Sequence, residues 1–72
     1  MKTMNQNEKL EWYTRGCADS NLGNRPRFVA ASDGWVTAVF ATDADLFESE
    51  RQEHDAGVAY LNGYDGYTLD GE

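Results

Sequence analysis

Six carboxylates fall into two series of five-residue spacing: Asp43, Glu48 and Glu53, and Asp45, Glu50 and Asp55. On a helix rising 1.5 Å per residue, five residues advance about 7.5 Å. That is comparable to the separation of neighbouring phosphates along one nucleic-acid strand. On a helical wheel the two series flank an apolar stripe like two rails. Residues 43–55 carry one acid per roughly 3.3 Å of such a helix, against one charge per ~1.7 Å of duplex DNA. The density is that of a single strand, and Asp65, Asp70 and Glu72, or a second subunit, would raise it. The plainer reading of the same acids is a solvated helix face.

Other chemistries are poorly supplied. His54 is the only histidine and Cys17 the only cysteine. A Ser-His-Asp arrangement needs a serine beside the imidazole; Ser20 and Ser32 sit in no recognisable elbow, and Ser49, five residues before His54, falls on another helix face. Structural zinc takes about four Cys, His or carboxylate ligands, which one Cys and one His do not provide. A calcium loop needs oxygen ligands at positions 1, 3 and 5 and glycine at 6. Counted from Asp43, positions 5 and 6 are Phe47 and Glu48; counted from Asn62, positions 3 and 5 are Tyr64 and Gly66. Neither fits. No phosphate-binding or dinucleotide fingerprint is present. Gly23-Asn24-Arg25 offers one glycine and one arginine, too little for an anion loop. The expectation is a protein without catalytic residues, metal or cofactor.

Charge is unevenly spread. Residues 1–42 carry +1 and residues 43–72 carry −8, giving the net −7 of the chain. Asymmetry of this kind bears on partners rather than on fold. It argues against direct nucleic-acid binding, which needs a basic footprint, and for a basic partner. Seventy-two residues are enough for one small domain, 1–72, with 1–7 and 70–72 frayed. A core of this size supplies roughly 3–5 kcal/mol, so homodimerisation or a bound partner would help. No apolar run approaches the ~20 residues of a membrane span. The polar start and lone cysteine suggest a reducing cytoplasm.

Small size, acidity and the lack of catalytic residues make the chain resemble small phage-encoded inhibitors, the anti-CRISPR and DNA-mimic proteins. The resemblance is one of class and rests on no motif. It implies a protein that blocks the nucleic-acid-binding surface of a host defence complex in a bacterial cytoplasm.

The elements that must position these residues begin with a hairpin. Asp33-Gly34 lies between two apolar runs, Arg27–Ser32 and Trp35–Ala41. A two-residue type I′ turn there pairs Ser32 with Trp35, Ala30 with Thr37 and Phe28 with Val39. Val29, Ala31, Val36, Ala38 and Phe40 then form the core face. The opposite face carries Phe28 and Trp35, either covered by another segment or free as an aromatic partner-binding patch.

Before the hairpin, Asn7 is expected to cap a short helix from Glu8 to about Arg15, stopped by Gly16; a strand over 10–15 competes with it. Residues 17–26 read as a loop. After the hairpin, Thr42 caps a long helix from Asp43, with Ala44, Phe47, Arg51, His54, Val58 and Leu61 on one stripe and Asn62-Gly63 as its end. In the competing reading the helix ends near Asp55 and Asn62-Gly63 turns a second hairpin. Tyr67-Thr68-Leu69 is a candidate edge strand.

The expected fold is therefore α+β: an antiparallel hairpin or small sheet packed by one main helix, with a short N-terminal helix. The expected function is a non-catalytic binding protein that occupies a basic surface through Asp43, Asp45, Glu48, Glu50, Glu53 and Asp55, with Phe28 and Trp35 as aromatic contacts. The alternative is a small acidic adaptor or dimerising subunit that binds through the aromatic patch.

Overall fold

Asn5 accepts a hydrogen bond from the Glu8 backbone N–H at 2.9 Å, and the Glu8 carboxylate accepts one from the Asn5 N–H at 3.2 Å. This reciprocal capping box starts the first helix of the computed structural model, which describes residues Met4–Gly71. The elements are α1 (Gln6–Leu22), β1 (Phe28–Ala30), β2 (Val36–Ala38), α2 (Ala41–Ala44) and α3 (Glu50–Asp65). The fold is α+β, with the long helix α3 packed on an antiparallel two-stranded sheet. Residues 1–3 and 72, part of the expected frayed ends, lie outside the described residues.

Helix α1 corrects the expected N-terminal helix at both ends. Asn5, not Asn7, caps it, and Gly16 lies buried in its middle rather than ending it. The reason is the approach of α3. A methyl built on Gly16 would lie 2.0 Å from the Tyr60 carbonyl oxygen, and one on Gly63 would lie 2.2 Å from the Tyr13 carbonyl oxygen. The two glycines let the helix backbones touch. The helix ends instead at Gly23, whose φ of 73° suits glycine. Asp19, Ser20 and Asn21, which read as loop formers, lie inside this last turn.

The hairpin forms where expected but one residue out of register. The pairs are Phe28 with Ala38, Val29 with Thr37 and Ala30 with Val36. A type I′ turn needs positive φ at both central residues, and only Gly34 has it, at 85°. Asp33 instead accepts a hydrogen bond from the Trp35 N–H at 2.9 Å. That side-chain turn leaves a three-residue loop, Ser32–Gly34, closed by Gly34 N–H to Ala31 O at 2.9 Å and Ala31 N–H to Trp35 O at 2.8 Å. Shifting the pairing by one residue exchanges faces. Phe28 of β1 is therefore buried beside Val36, a core residue in either register, and Val29 is 49% exposed; Phe40, also expected in the core, lies past the end of β2 at the cap of α2 and is 53% exposed. Tyr67–Leu69 adds no strand; the Asn62 amide donates to Leu69 O at 3.3 Å and the Tyr13 hydroxyl to Tyr67 O at 2.7 Å, which straps that segment to the helices.

The expected single helix from Asp43 is two. Helix α2 is one turn capped by Phe40 rather than Thr42. Helix α3 starts at Ser49, whose hydroxyl accepts from the Gln52 N–H at 3.2 Å, while the Gln52 side chain accepts from the Glu48 N–H at 3.0 Å. Residues 57–61 are helical, so the second-hairpin reading is excluded. The end is Gly66 (φ 86°), not Asn62-Gly63. The buried face of α3 is Gln52, Ala56, Gly57, Ala59, Tyr60 and Gly63; of the expected stripe, Arg51 and Val58 are exposed. Gly57 sets this rotation, because a side chain there would meet Val36 at 2.3 Å and Phe28 at 2.7 Å. The centre of the core is aromatic: Phe28 lies edge-on to Trp12 at 5.4 Å and 5.3 Å from Tyr60, and Phe47 tilts against Trp12 at 5.4 Å.

Candidate partner-binding surface

The expected acidic rails do not form. Asp43 lies on α2, Asp45 caps its end, Glu48 stands in the linker, and only Glu50, Glu53 and Asp55 belong to α3. The last two have internal roles. Glu53 accepts a hydrogen bond from the Ala38 N–H at 2.8 Å. His54, next in the chain, accepts one through Nδ1 from the Val36 N–H at 3.0 Å. These two N–H groups lie on the edge of β2 away from β1, so consecutive α3 side chains close an edge that would otherwise invite another strand. Asp55 pairs with Arg51 at 3.2 Å.

Of the two aromatic candidates, Phe28 is 1% exposed and belongs to the core. Covering by another segment, rather than a free patch, describes it. Trp35 is half-buried and stacks on His54, with ring centroids 4.1 Å apart and planes 13° apart.

Four expected site residues remain at the surface. Asp45, Glu48 and Glu50 are exposed and Asp43 is half-buried. Their carboxylates make no ion pair or hydrogen bond among the described residues. Around them lie residues the sequence reading did not assign to a site: Val39, Phe40 and Leu46 are 51%, 53% and 63% exposed. Phe40 leaves the core because β2 ends at Ala38 and the chain turns into α2 at Phe40.

Across the molecule, Tyr60 joins three segments. Its hydroxyl donates to Asp19 at 2.5 Å and accepts from the Arg27 N–H at 3.1 Å, and Arg27 lies 3.6 Å from the same carboxylate. The phenol's hydrogen bond holds the Asp19 carboxyl below its ordinary value. Burial, and then the Asp19 hydrogen bond, push Tyr60 up to about 12. Asp19 is lowered on folding, so its contribution to stability is complete above the unfolded value of 3.8 and is lost as pH falls through the folded value. Tyr60 is raised, so its contribution is complete below pH 10.0 and is lost as pH rises toward about 12. Phenolate absorbance should therefore show a step near pH 12 together with alkaline unfolding, and Tyr60→Phe should remove that step. The same step in Tyr60→Phe as in the native protein would show that the contact with Asp19 is not made in solution.

A shallow cleft of about 260 Å³ lies where α1, α3 and the C-terminal strap meet, with Lys9, His54, Asn62 and Asp70 on its walls. It mixes one ammonium with carboxylates and amides, and its imidazole is engaged by Val36 and Trp35. Among the described residues no three His, Cys, Asp or Glu side chains converge as a metal site would, and no helix is long and apolar enough to cross a membrane. Compared with family models, curated proteins and solved structures, the chain matches none.

Proposed function

We propose that the chain is a non-catalytic binding protein that occupies a basic surface of another protein. The observation that carries this reading is the run Asp43–Glu50, where Asp45, Glu48 and Glu50 are exposed without internal partners while Glu53 and Asp55 are engaged within the fold. Carboxylates left free at that density repel one another, and a cationic surface relieves the repulsion. A basic surface that ordinarily holds nucleic acid fits this charge, as in inhibitors of the DNA-mimic and anti-CRISPR kind, and the site of action on this reading is the cytoplasm of a bacterial host. The competing adaptor reading loses Phe28, which is buried in the core.

Replacing Asp45 by Asn and Glu48 and Glu50 by Gln keeps shape and removes three charges. One exposed pair is worth only about 0.2–1 kcal/mol, so single changes should be nearly silent. The triple variant should bind its basic partner about ten-fold more weakly, at roughly 1.4 kcal/mol per decade. Proteins retained from a bacterial lysate, identified by mass spectrometry, should be nucleic-acid binders released by salt and displaced by duplex DNA. A triple variant that retains the same proteins with the same salt dependence would end this reading.

A further inference from the structure

We propose that the cleft between α1, α3 and the C-terminal strap binds a small zwitterion of the amino-acid class. Its carboxylate meets Lys9, its ammonium meets Asp70, and its apolar body lies against Val58, Ala59 and Leu69. This site is separate from the acidic run of residues 43–50 and does not rest on the proposed function. Each wall of the cleft is held by contacts of the fold. Lys9 stands in the first turn of α1, where its N–H bonds the Asn5 carbonyl oxygen at 3.1 Å beside the capping box. Helix α3 contributes Val58, Ala59 and Asn62. The strap is tied down by the Tyr13 hydroxyl at Tyr67 O and by the Asn62 amide at Leu69 O. Gly71 N–H then returns to Thr68 O at 2.9 Å and closes a turn that carries Asp70. Asp70 is therefore presented by an anchored turn.

The charges on the walls select the occupant. Among the described residues the ion pairs are Arg15 with Glu11, Arg27 with Asp19 and Arg51 with Asp55. Asp55, which also lines the cleft, is thus satisfied by Arg51. Lys9 and Asp70 enter no ion pair and no side-chain hydrogen bond among the described residues. Two opposite charges line one cleft and do not meet. An anion drawn by Lys9 would face the carboxylates of Asp70 and Asp55, and a cation drawn by Asp70 would face Lys9. A molecule with both signs satisfies both through charge-assisted hydrogen bonds. Asn62 spends its amide nitrogen on Leu69 O, which leaves its carbonyl oxygen to accept from the ligand's ammonium. The volume of about 260 Å³ lies just under the ~300–1,000 Å³ of pockets for drug-sized ligands. A free amino acid is of that scale, and a folded partner is not.

The test follows the amide resonances of the full chain as small molecules are added. Leucine is compared with 4-methylpentanoate, which lacks its amine, and 3-methylbutylamine, which lacks its carboxylate. 6-Aminohexanoate, hexanoate and pentylamine repeat the comparison with the two charges set further apart. At least one zwitterion should saturate at about 1 mM or below, the range open to roughly nine heavy atoms. It should shift Lys9, Asn62 and Asp70 and bind at least ten-fold tighter than both of its analogues. Which zwitterion does so reads the distance between the two charges. Lys9 is half-buried and Asp70 exposed, so Lys9→Gln and Asp70→Asn should keep the native melting temperature. Lys9→Gln should reduce the zwitterion to the affinity of its amine analogue, and Asp70→Asn to that of its acid analogue. Equal binding of each zwitterion and its analogues, or no loss in either variant, would overturn the two-charge site. Shifts confined to other residues, or no saturation by any compound at ten times that concentration, would overturn the cleft as a binding site. The acidic run is judged by its own salt-dependent capture, so the two readings fail separately.

Discussion

Gly63→Ala should cost this protein about half of its stability or more. A Cβ at position 63 would lie 2.2 Å from the Tyr13 carbonyl oxygen and 3.2 Å from the Cys17 nitrogen. Both are backbone atoms of α1, so no side chain can rotate away. The helices must separate by more than an ångström to reach ordinary contact. Gly16 opposes Tyr60 in the same way, so separation also loosens the Trp12–Phe28–Tyr60 cluster that bridges α1, the hairpin and α3. Overpacking costs about 1–3 kcal/mol and occasionally more. Alanine's helix propensity returns about 1 kcal/mol, but the rigidity of both neighbours puts the clash at the top of its range. A net loss of about 2 kcal/mol is large against the roughly 3–5 kcal/mol of a core this size. The melting temperature should fall by about 10 °C, at 4–8 °C per kcal/mol for such a chain. Ser20→Ala, on the exposed side of α1, serves as the control and should shift it little. A Gly63→Ala melting temperature equal to or above that of the native protein would mean that α1 and α3 do not meet through their backbones.

This crossing is the feature least legible in the chain. A glycine inside a helical pattern carries a local cost and reads as a stop, so Gly16 and Gly63 looked like helix ends. Only the partner helix shows that they are contact points. The α+β class, the hairpin about Gly34 and the helical state of residues 57–61 were legible, because apolar runs around a turn and a long helical period are local signals. The start of α3 was legible too and was missed. Ser49-Glu50-Arg51-Gln52 has the Ser-x-x-Gln pattern of a capping box, and the hydrogen bonds of Ser49 and Gln52 make nearly that arrangement. Reading it would have divided Asp43–Leu61 into a turn and a helix, and dissolved the two acidic rails. The use of Glu53 and His54 to close the edge of β2 depends on tertiary placement and left no local trace.

Phe28→Ala should unfold the protein, and Phe40→Ala should leave it folded. The three-residue turn brings Phe28 to the core side, and the end of β2 at Ala38 takes Phe40 out of the sheet. With Phe28 opposite Ala38, its ring is 1% exposed and lies 5.4 Å from Trp12, 5.3 Å from Tyr60 and 6.2 Å from Phe47. Truncating a buried phenylalanine costs about 3–5 kcal/mol, since the transfer energy is lost and the cavity is only partly refilled. That matches the entire stability of a small core, so circular dichroism of Phe28→Ala should show an unfolded or partly helical chain at room temperature. Phe40 is 53% exposed and its backbone opens α2. Surface changes of this kind stay within about 0.5 kcal/mol, so its unfolding midpoint in urea should match the native one. The opposite pattern, a folded Phe28→Ala beside an unfolded Phe40→Ala, would restore the two-residue turn, which turns Phe28 outward, and would extend β2 through Phe40 into the core.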